Sequence, residues 1–220
     1  TDTGDATGKP VEERPGATVP EGAVAEALAD LVGTFEQVPP AYSAVKVDGV
    51  RSYKLARKGM QVPLAARRVT VREARLLSIG PDRFRAFLAV SKGFYVRSLS
   101  RDLGARLGVP LTVSELRRTR VGAFRAEQAV TLDELRERAR GFDTASLLIP
   151  IADALGRFPR WEVPAEAISQ VRNGRLSGPW LVERAAAELG DLALLVTSRR
   201  EPLAIVGRDP TGLWKIVRGI

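Results

Sequence analysis

Seven residues, Ser91-Lys92-Gly93-Phe94-Tyr95-Val96-Arg97, put a flexible glycine, two aromatic rings and two cations into one short stretch. An aromatic face beside a fixed guanidinium suits a splayed nucleotide, with the ring stacking on a base while the cation meets an anion. The same residues also suit a partly buried aromatic turn with solvated charges. Three further clusters carry usable groups. Thr1-Asp2-Thr3-Gly4-Asp5-Ala6-Thr7-Gly8 is dense in carboxylates and hydroxyls. Ordinary turn chemistry, in which Asp and Thr side chains satisfy backbone donors, is one reading of it and a catalytic carboxylate is the other. Tyr42-Ser43-Ala44-Val45-Lys46 offers a phenol, a hydroxyl and an ammonium beside a tight turn at Asp48-Gly49, groups that contact phosphates and bases. Leu116-Arg117-Arg118-Thr119-Arg120 sets cations on both faces of an extended segment, so that one side can pair inside the fold while the other meets RNA.

What is missing narrows the chemistry. The 220 residues contain neither Cys nor His, which removes disulfides, thiol nucleophiles, imidazole bases and the usual zinc ligand sets. There is no phosphate-binding GxxxxGK[ST], no GxGxxG after a strand and no GxSxG elbow. Carboxylates, hydroxyls, lysines and arginines are left to act.

Charge is unevenly spread. The net charge is +8, and from Lys46 to Arg72 eight basic residues, Arg57 among them and Tyr53 between them, face only Asp48. From Lys92 to Arg125 eight more face Asp102 and Glu115, whereas the first thirty residues hold seven carboxylates against Lys9 and Arg14. Two basic blocks interleaved with Tyr42, Tyr53, Phe94, Tyr95 and Phe124 fit a groove that follows a phosphate backbone and stacks bases. Two ordinary charged faces are the alternative. No apolar run is long enough to span a bilayer and no leader resembles a signal peptide, so a cytoplasmic protein without membrane partners is expected.

The elements that must position these groups follow from periodicity. Pro20 to Phe35 carries Val24, Leu28 and Leu31 at helical spacing, bounded by Gly33, and Pro39-Pro40 enforces an extended entry into Tyr42. Ser52 to Lys58 reads as a short helix closed by Gly59. Val69 to Ile79 and Arg83 to Val90 read as strands joined across Gly80-Pro81-Asp82. A helix opens at Tyr95 to Arg97, with Val96, Leu99, Leu103 and Leu107 on one face until Gly108. Val113 to Phe124 looks extended, and Thr131-Leu132-Asp133-Glu134 is a capping box for a helix over Leu132 to Ala139.

A boundary is expected near Leu148 to Pro159, where the charge bias falls away. Beyond it come a short helix from Pro164 to Asn173-Gly174 and strands at Leu192 to Val196, Leu203 to Gly207 and Leu213 to Val217. The expected domains are 1–150 and 151–220, the second a small α+β or barrel-like unit.

The ordered succession TDTGDATG, PPAYSAVKVDGVRSYKLARKG, SKGFYVRSLSRDLG and LRRTRVGAF resembles the B-type family of bacterial tRNA pseudouridine-55 synthases. The resemblance covers most of residues 1 to 150. It implies an α+β fold, a mixed or antiparallel-sheet pseudouridine synthase core followed by a small PUA-like β-barrel domain that binds RNA. It implies isomerisation of a T-loop uridine in tRNA: the base is flipped out, an aspartate acts at the sugar, and the base detaches, rotates and rejoins through carbon, with no metal or other cofactor. Tyr95 of the KGxYxR motif would pack beside the base, Arg97 would pair with the catalytic aspartate, and Leu116 of the LRR motif would line the pocket. Asp2, Thr3 and Asp5 of TDTxDxxG would lie near the site.

RNA contacts are expected from Tyr42, Ser43, Lys46, Tyr53, Arg57, Lys92, Arg117 and Arg118, and a monomer is expected. The GTLDPxATG-like loop that holds the family's nucleophilic aspartate is expected ahead of Thr1, so that Arg97 would lack its anionic partner and the 220 residues alone would be inactive. A noncatalytic RNA-binding module and a relative of the guide-RNA-dependent pseudouridine synthases are the alternatives.

Overall fold

The computed structural model describes residues 1–141, 143–187 and 190–220, and the chain divides into two compact units, Thr1–Arg117 and Arg118–Ile220. The division comes before the 150/151 boundary expected from composition. The stretch following Arg118 shares the basic character of what precedes it, yet its packing places it with the later unit.

In the first unit, α1 (Glu21–Ala29) starts after Pro20, whose φ of −57° is already compatible with a helix start, and buries Val24, Ala27 and Leu28. The helical spacing of the sequence runs on to Phe35, but the chain turns at Gly33 (φ +140°) and enters β1 (Gly33–Gln37). Next come the two-residue strands β2 (Lys46–Val47) and β3 (Val50–Arg51), joined by Asp48 and Gly49, both at positive φ, and the short helix α2 (Ser52–Ala56). The paired left-handed residues match the twist of a tight hairpin.

The centre of the unit is an antiparallel sheet of order β1-β4-β5, with β4 (Arg67–Ile79) between β1 and β5 (Phe84–Val90). Gly80 N donates to Arg83 O at 2.7 Å to close the β4–β5 turn. Helix α3 (Val96–Leu107) ends at Gly108 in the left-handed conformation, φ +69°, as its sequence predicts. Helices α1 and α3 pack together over the sheet, joining Val24, Leu28, Leu99 and Leu103 to Leu76, Leu88 and Phe94. Each fully buried Leu there contributes roughly 1.5–3 kcal/mol of transfer free energy. Gly104 lets the chain fold back on α3, because a Cβ there would come within 2.8 Å of Val109 O.

The second unit begins with the hairpin β6 (Arg120–Val121) and β7 (Phe124–Arg125), a shorter extended region than Val113 to Phe124 suggests. Helix α4 (Leu132–Arg140) is capped by Thr131, whose Oγ1 accepts from Glu134 N at 3.1 Å. Half of the expected capping box forms, since the Glu134 carboxylate turns instead to Arg138, 3.2 Å away. Then follow α5 (Ile151–Ala154), β8 (Arg160–Glu162), α6 (Ile168–Arg172), α7 (Pro179–Ala187), β9 (Leu192–Val196), β10 (Pro202–Arg208) and β11 (Trp214–Gly219).

These strands form a sheet of order β11-β10-β9-β8 in which β8 runs parallel to β9 and the other pairs are antiparallel. Its core gathers Trp161, Val171, Leu195, Leu203 and Val206, with the Trp161 and Trp214 rings edge to face at 4.5 Å. The sheet is open, with β11 and β8 as its edges, so the described residues form no closed barrel of the kind the resemblance implies. Helix α7 and strand β8 carry no periodic signal long enough to read, and their apolar residues become intelligible only against this core.

Candidate functional site

The site is organised by the first turn of α3. Tyr95 is its N-cap, in an extended conformation and with no capping side chain of its own. Gln37, at the end of β1 and only 2% exposed, takes that role from a distance: its Oε1 accepts from Tyr95 N at 2.9 Å and its Nε2 donates to Tyr95 O at 3.2 Å. Ser98 donates to Val38 O at 2.7 Å, and Phe94 meets Phe35 edge to face at 6.5 Å. Gly93, at φ +85°, supplies the reversal between β5 and α3. Tyr95 is thereby held half-buried, and Lys92 stays exposed on the turn.

Arg97 points from α3 into a ring of acceptors. Its Nη1 donates to Thr3 O at 3.2 Å and lies 3.4 Å from Asp5 Oδ2, while Nη2 donates to Tyr42 O at 2.9 Å. One guanidinium therefore ties the N-terminal turn and the Tyr42 segment to α3. Asp5 thus gives Arg97 an anionic contact that the sequence reading did not foresee, distinct from the catalytic-loop aspartate expected to pair with it. A planar guanidinium has five N–H donors, so these contacts leave capacity for a second carboxylate. The ion pair is about a quarter exposed, with side chains 26% and 28% accessible.

The turn holding Asp5 is tightly specified. Asp5 Oδ1 accepts from Thr3 Oγ1 at 2.8 Å, Thr7 N at 3.1 Å and Thr7 Oγ1 at 2.6 Å. The Thr7 and Thr3 hydroxyls, then the Thr7 amide and the Arg97 charge, hold the Asp5 carboxyl below the ordinary value against the opposing effect of burial. Turn chemistry and an ionised carboxylate thus coexist in one residue. Asp2 serves the turn alone, its Oδ1 accepting from Lys9 N at 2.8 Å. Gly4, at φ +75°, brings the turn against α3, since a Cβ there would lie 3.3 Å from Arg97 Cβ. Backbone bonds between Ala6 N and Val113 O and between Val113 N and Gly4 O fix the other side.

The remaining expected residues are distributed as follows. Tyr42 is half-buried and lines a concavity of about 670 Å3 with Ala41, Ala56, Met60, Val62 and Pro63, a largely apolar surface suited to a flat ring. Ser43 is buried, its Oγ 3.3 Å from Ser52 Oγ, and Tyr53 N donates to its carbonyl at 3.1 Å. It secures the β2–β3 hairpin base and presents no hydroxyl to an RNA, because Ser52 folds back toward Ala41 O across the same spot.

Lys46 is exposed opposite Arg51, and Arg57 lies over the Tyr53 ring at 5.5 Å. Leu116 is 62% exposed, and Arg117 and Arg118, also exposed, fall at the end of one unit and the start of the next. Gln37, Thr7 and Ser98 were not legible as site residues. Gln37 and Ser98 act on partners far away in sequence, whereas Thr7 lies in the quoted TDTGDATG turn and its hold on Asp5 is of the ordinary turn kind. Among the described residues no three acidic groups converge as a metal site would require.

Helices α1 and α3 packed on the sheet β1-β4-β5 carry this site, and known proteins match both the sequence and the fold. Residues 1–96 match the family model of the TruB family pseudouridylate synthase N-terminal domain, and residues 97–155 match that of the tRNA pseudouridylate synthase B C-terminal domain. Both models describe pseudouridylate synthases. More narrowly, the chain belongs to the TruB family.

Among curated relatives, the tRNA pseudouridine synthase B of Aromatoleum aromaticum is 43% identical over 176 residues, 80% of this chain and 56% of that protein. The protein of the same name from Geobacillus thermodenitrificans is 38% identical over 199 residues, 88% of this chain and 65% of that protein. The chain thus spans between just over half and just under two thirds of these relatives' length. A chain of a crystal structure of a Cbf5–Nop10–Gar1 complex superposes with a TM-score of 0.66 at 25% identity, over 87% of this chain and 56% of that one. A chain from an H/ACA RNP bound to a substrate RNA containing 2'-deoxyuridine shares the fold, with a TM-score of 0.65 at 20% identity over 93% of this chain and 62% of that one.

Proposed function

We propose that this chain supplies the base pocket and RNA grip of a tRNA uridine-to-pseudouridine isomerase acting on position 55 of the T-loop. The observation that carries the reading is Arg97, clamped by Asp5 and by the carbonyls of Thr3 and Tyr42 directly beside Tyr95. The reaction breaks the bond from the sugar C1' to N1 and forms one from C1' to C5, with the C5 proton lost and N1 protonated. It is redox-neutral and needs no co-reactant. What it needs is a base out of its stack, a nucleophile at the sugar and a water-poor wall.

Tyr95 packs beside the flipped base and Leu116 closes the pocket on RNA binding. The nucleophilic aspartate comes from the family's catalytic loop, which is not among these 220 residues. The free donors of Arg97 orient it, while Asp5 keeps the guanidinium in place and partly balances its charge. Asp5 is in this sense a positioning residue. Tyr42, Lys46, Tyr53, Arg57, Lys92, Arg117 and Arg118 provide stacking faces and phosphate contacts, and residues 151–220 serve as the PUA-like RNA-binding part.

In the protein that carries the catalytic loop, Arg97→Lys is expected to lower turnover at least tenfold with RNA affinity near wild type. A point charge cannot satisfy a carboxylate and two carbonyls in one plane. Loss of affinity with turnover intact would overturn the role. Binding separates the substrate: a T-stem-loop hairpin should be preferred over an unstructured RNA of equal length, and equal affinities would remove the tRNA reading.

A further inference from the structure

The second unit holds a basic concavity that none of the pocket chemistry above uses. Edge strand β8 turns Arg160 and Glu162 away from the core, while Trp161 between them is buried. With Arg184 of α7 and the turn that links β9 to β10, they line a space of about 410 Å3. That turn is closed from within. Thr197 N donates to Glu201 O at 2.9 Å, Arg200 N to Thr197 O at 2.8 Å and Glu201 N to Thr197 Oγ1 at 3.1 Å.

The Ser198 hydroxyl is exposed at the rim of this space. Arg160 is braced by Ala152 O at 3.0 Å and Asp153 at 3.7 Å, whereas neither Arg184 nor Arg200 has an ion pair among the described residues. Three arginines therefore line the space against one glutamate.

Arg200 adds an independent observation. It sits at φ +65°, and Asp48 is its only non-glycine companion in the left-handed region among the described residues. Glycine or asparagine would occupy that position with less strain, by roughly 1–2 kcal/mol. A strained residue at a turn tip points to a use for its side chain. The concavity is too polar for a base, and guanidinium forks match the oxygens of a phosphate.

We propose that Arg184 and Arg200, backed by Arg160, bind a backbone phosphate of the RNA substrate, as an anchor that sets affinity and takes no part in the isomerisation. The proposal rests on the RNA reading above. Its test is equilibrium binding of the 220-residue chain to a tRNA transcript across a potassium chloride series. The variant R184Q/R200N is compared with R140Q/R172Q, which removes two arginines of the same unit that do not line the concavity. Asparagine suits the left-handed position, and thermal melts confirm that both variants fold.

The pocket variant should bind tRNA about tenfold more weakly than the control, with a log–log salt slope shallower by about 0.7–0.9. Equal affinity and slope in the two variants would overturn the anchor. So would a phosphate-dependent rise in melting temperature that R184Q/R200N abolishes while its tRNA binding stays at the control's level, since the site would then take free phosphate. If the wild-type chain itself shows no preference for tRNA over an unstructured RNA, the parent reading fails, and the anchor with it.

Discussion

Replacing Gln37 tests the link between β1 and the site. Gln37→Leu keeps a similar volume but removes both hydrogen bonds to Tyr95, at 2.9 and 3.2 Å. At about 0.5–1.5 kcal/mol net per bond, with the Tyr95 amide and carbonyl left in a partly buried setting, the expected loss is about 1–4 kcal/mol. Gln37→Glu sharpens the test. A carboxylate still accepts from Tyr95 N but sets a negative oxygen against Tyr95 O. Burial and that carbonyl then raise the introduced carboxyl's pKa in the folded state, so Q37E should be most destabilised near neutral pH and recover as pH falls through that raised value.

The assay is urea unfolding followed by circular dichroism, with hydrogen exchange at the Tyr95 amide. Tryptophan emission serves as an internal control, because Trp161, Trp180 and Trp214 all lie in the second unit. If Q37L lost less than about 0.5 kcal/mol and Tyr95 exchange were unchanged, Gln37 would not be the cap of α3.

Other perturbations address the turn and the pocket. Gly8→Ala would drive a Cβ onto Thr3 Oγ1 and to 2.5 Å from Asp2 Oδ1, so the turn should open and the Arg97–Asp5 pair weaken; an unchanged melting temperature and unchanged RNA binding would contradict this. The depressed pKa of Asp5 means that its contribution is fully present above the ordinary carboxylate value near 3.8 and is lost as pH falls through the lower folded value. The stability difference between wild type and Asp5→Asn should thus be constant at neutral pH and shrink toward the acid limit, and a difference independent of pH down to acid unfolding would refute it. Tyr95→Ala should weaken binding of a T-loop hairpin by about 1–3 kcal/mol, with Tyr95→Phe near wild type; an equal loss in both would assign the role to the phenol hydroxyl.

Local signals were readable wherever the information sits within a few residues. Gly108 stops α3 in its left-handed conformation and Gly80-Pro81-Asp82 turns β4 into β5, both from backbone preference alone. Thr131 caps α4 for the same reason, although the Glu134 half of the motif went to Arg138, an ordinary competitor on the helix surface. Beginning β1 at Gly33 was not readable, because Phe35 continues a helical spacing and only pairing with Val69 makes it a strand residue. The tight turn at Asp48-Gly49 was readable, but the burial of Ser43 was not, because it depends on Ser52 and Ala41 closing over it.

Taken alone, the amino-acid sequence determined the residue inventory, the absence of thiol and imidazole chemistry, the segments rich in cations and aromatics, and the order of motifs that marks the family. The tertiary structure alone decided which of those groups meet. Asp5 pairs with Arg97, Tyr42 lends its carbonyl to the same guanidinium, and Gln37 caps a helix 58 residues further on. The physical reason is that periodicity and turn chemistry act over one or two turns of chain. An ion pair or a cap supplied from a distant segment exists only once a packed core has fixed where both ends lie.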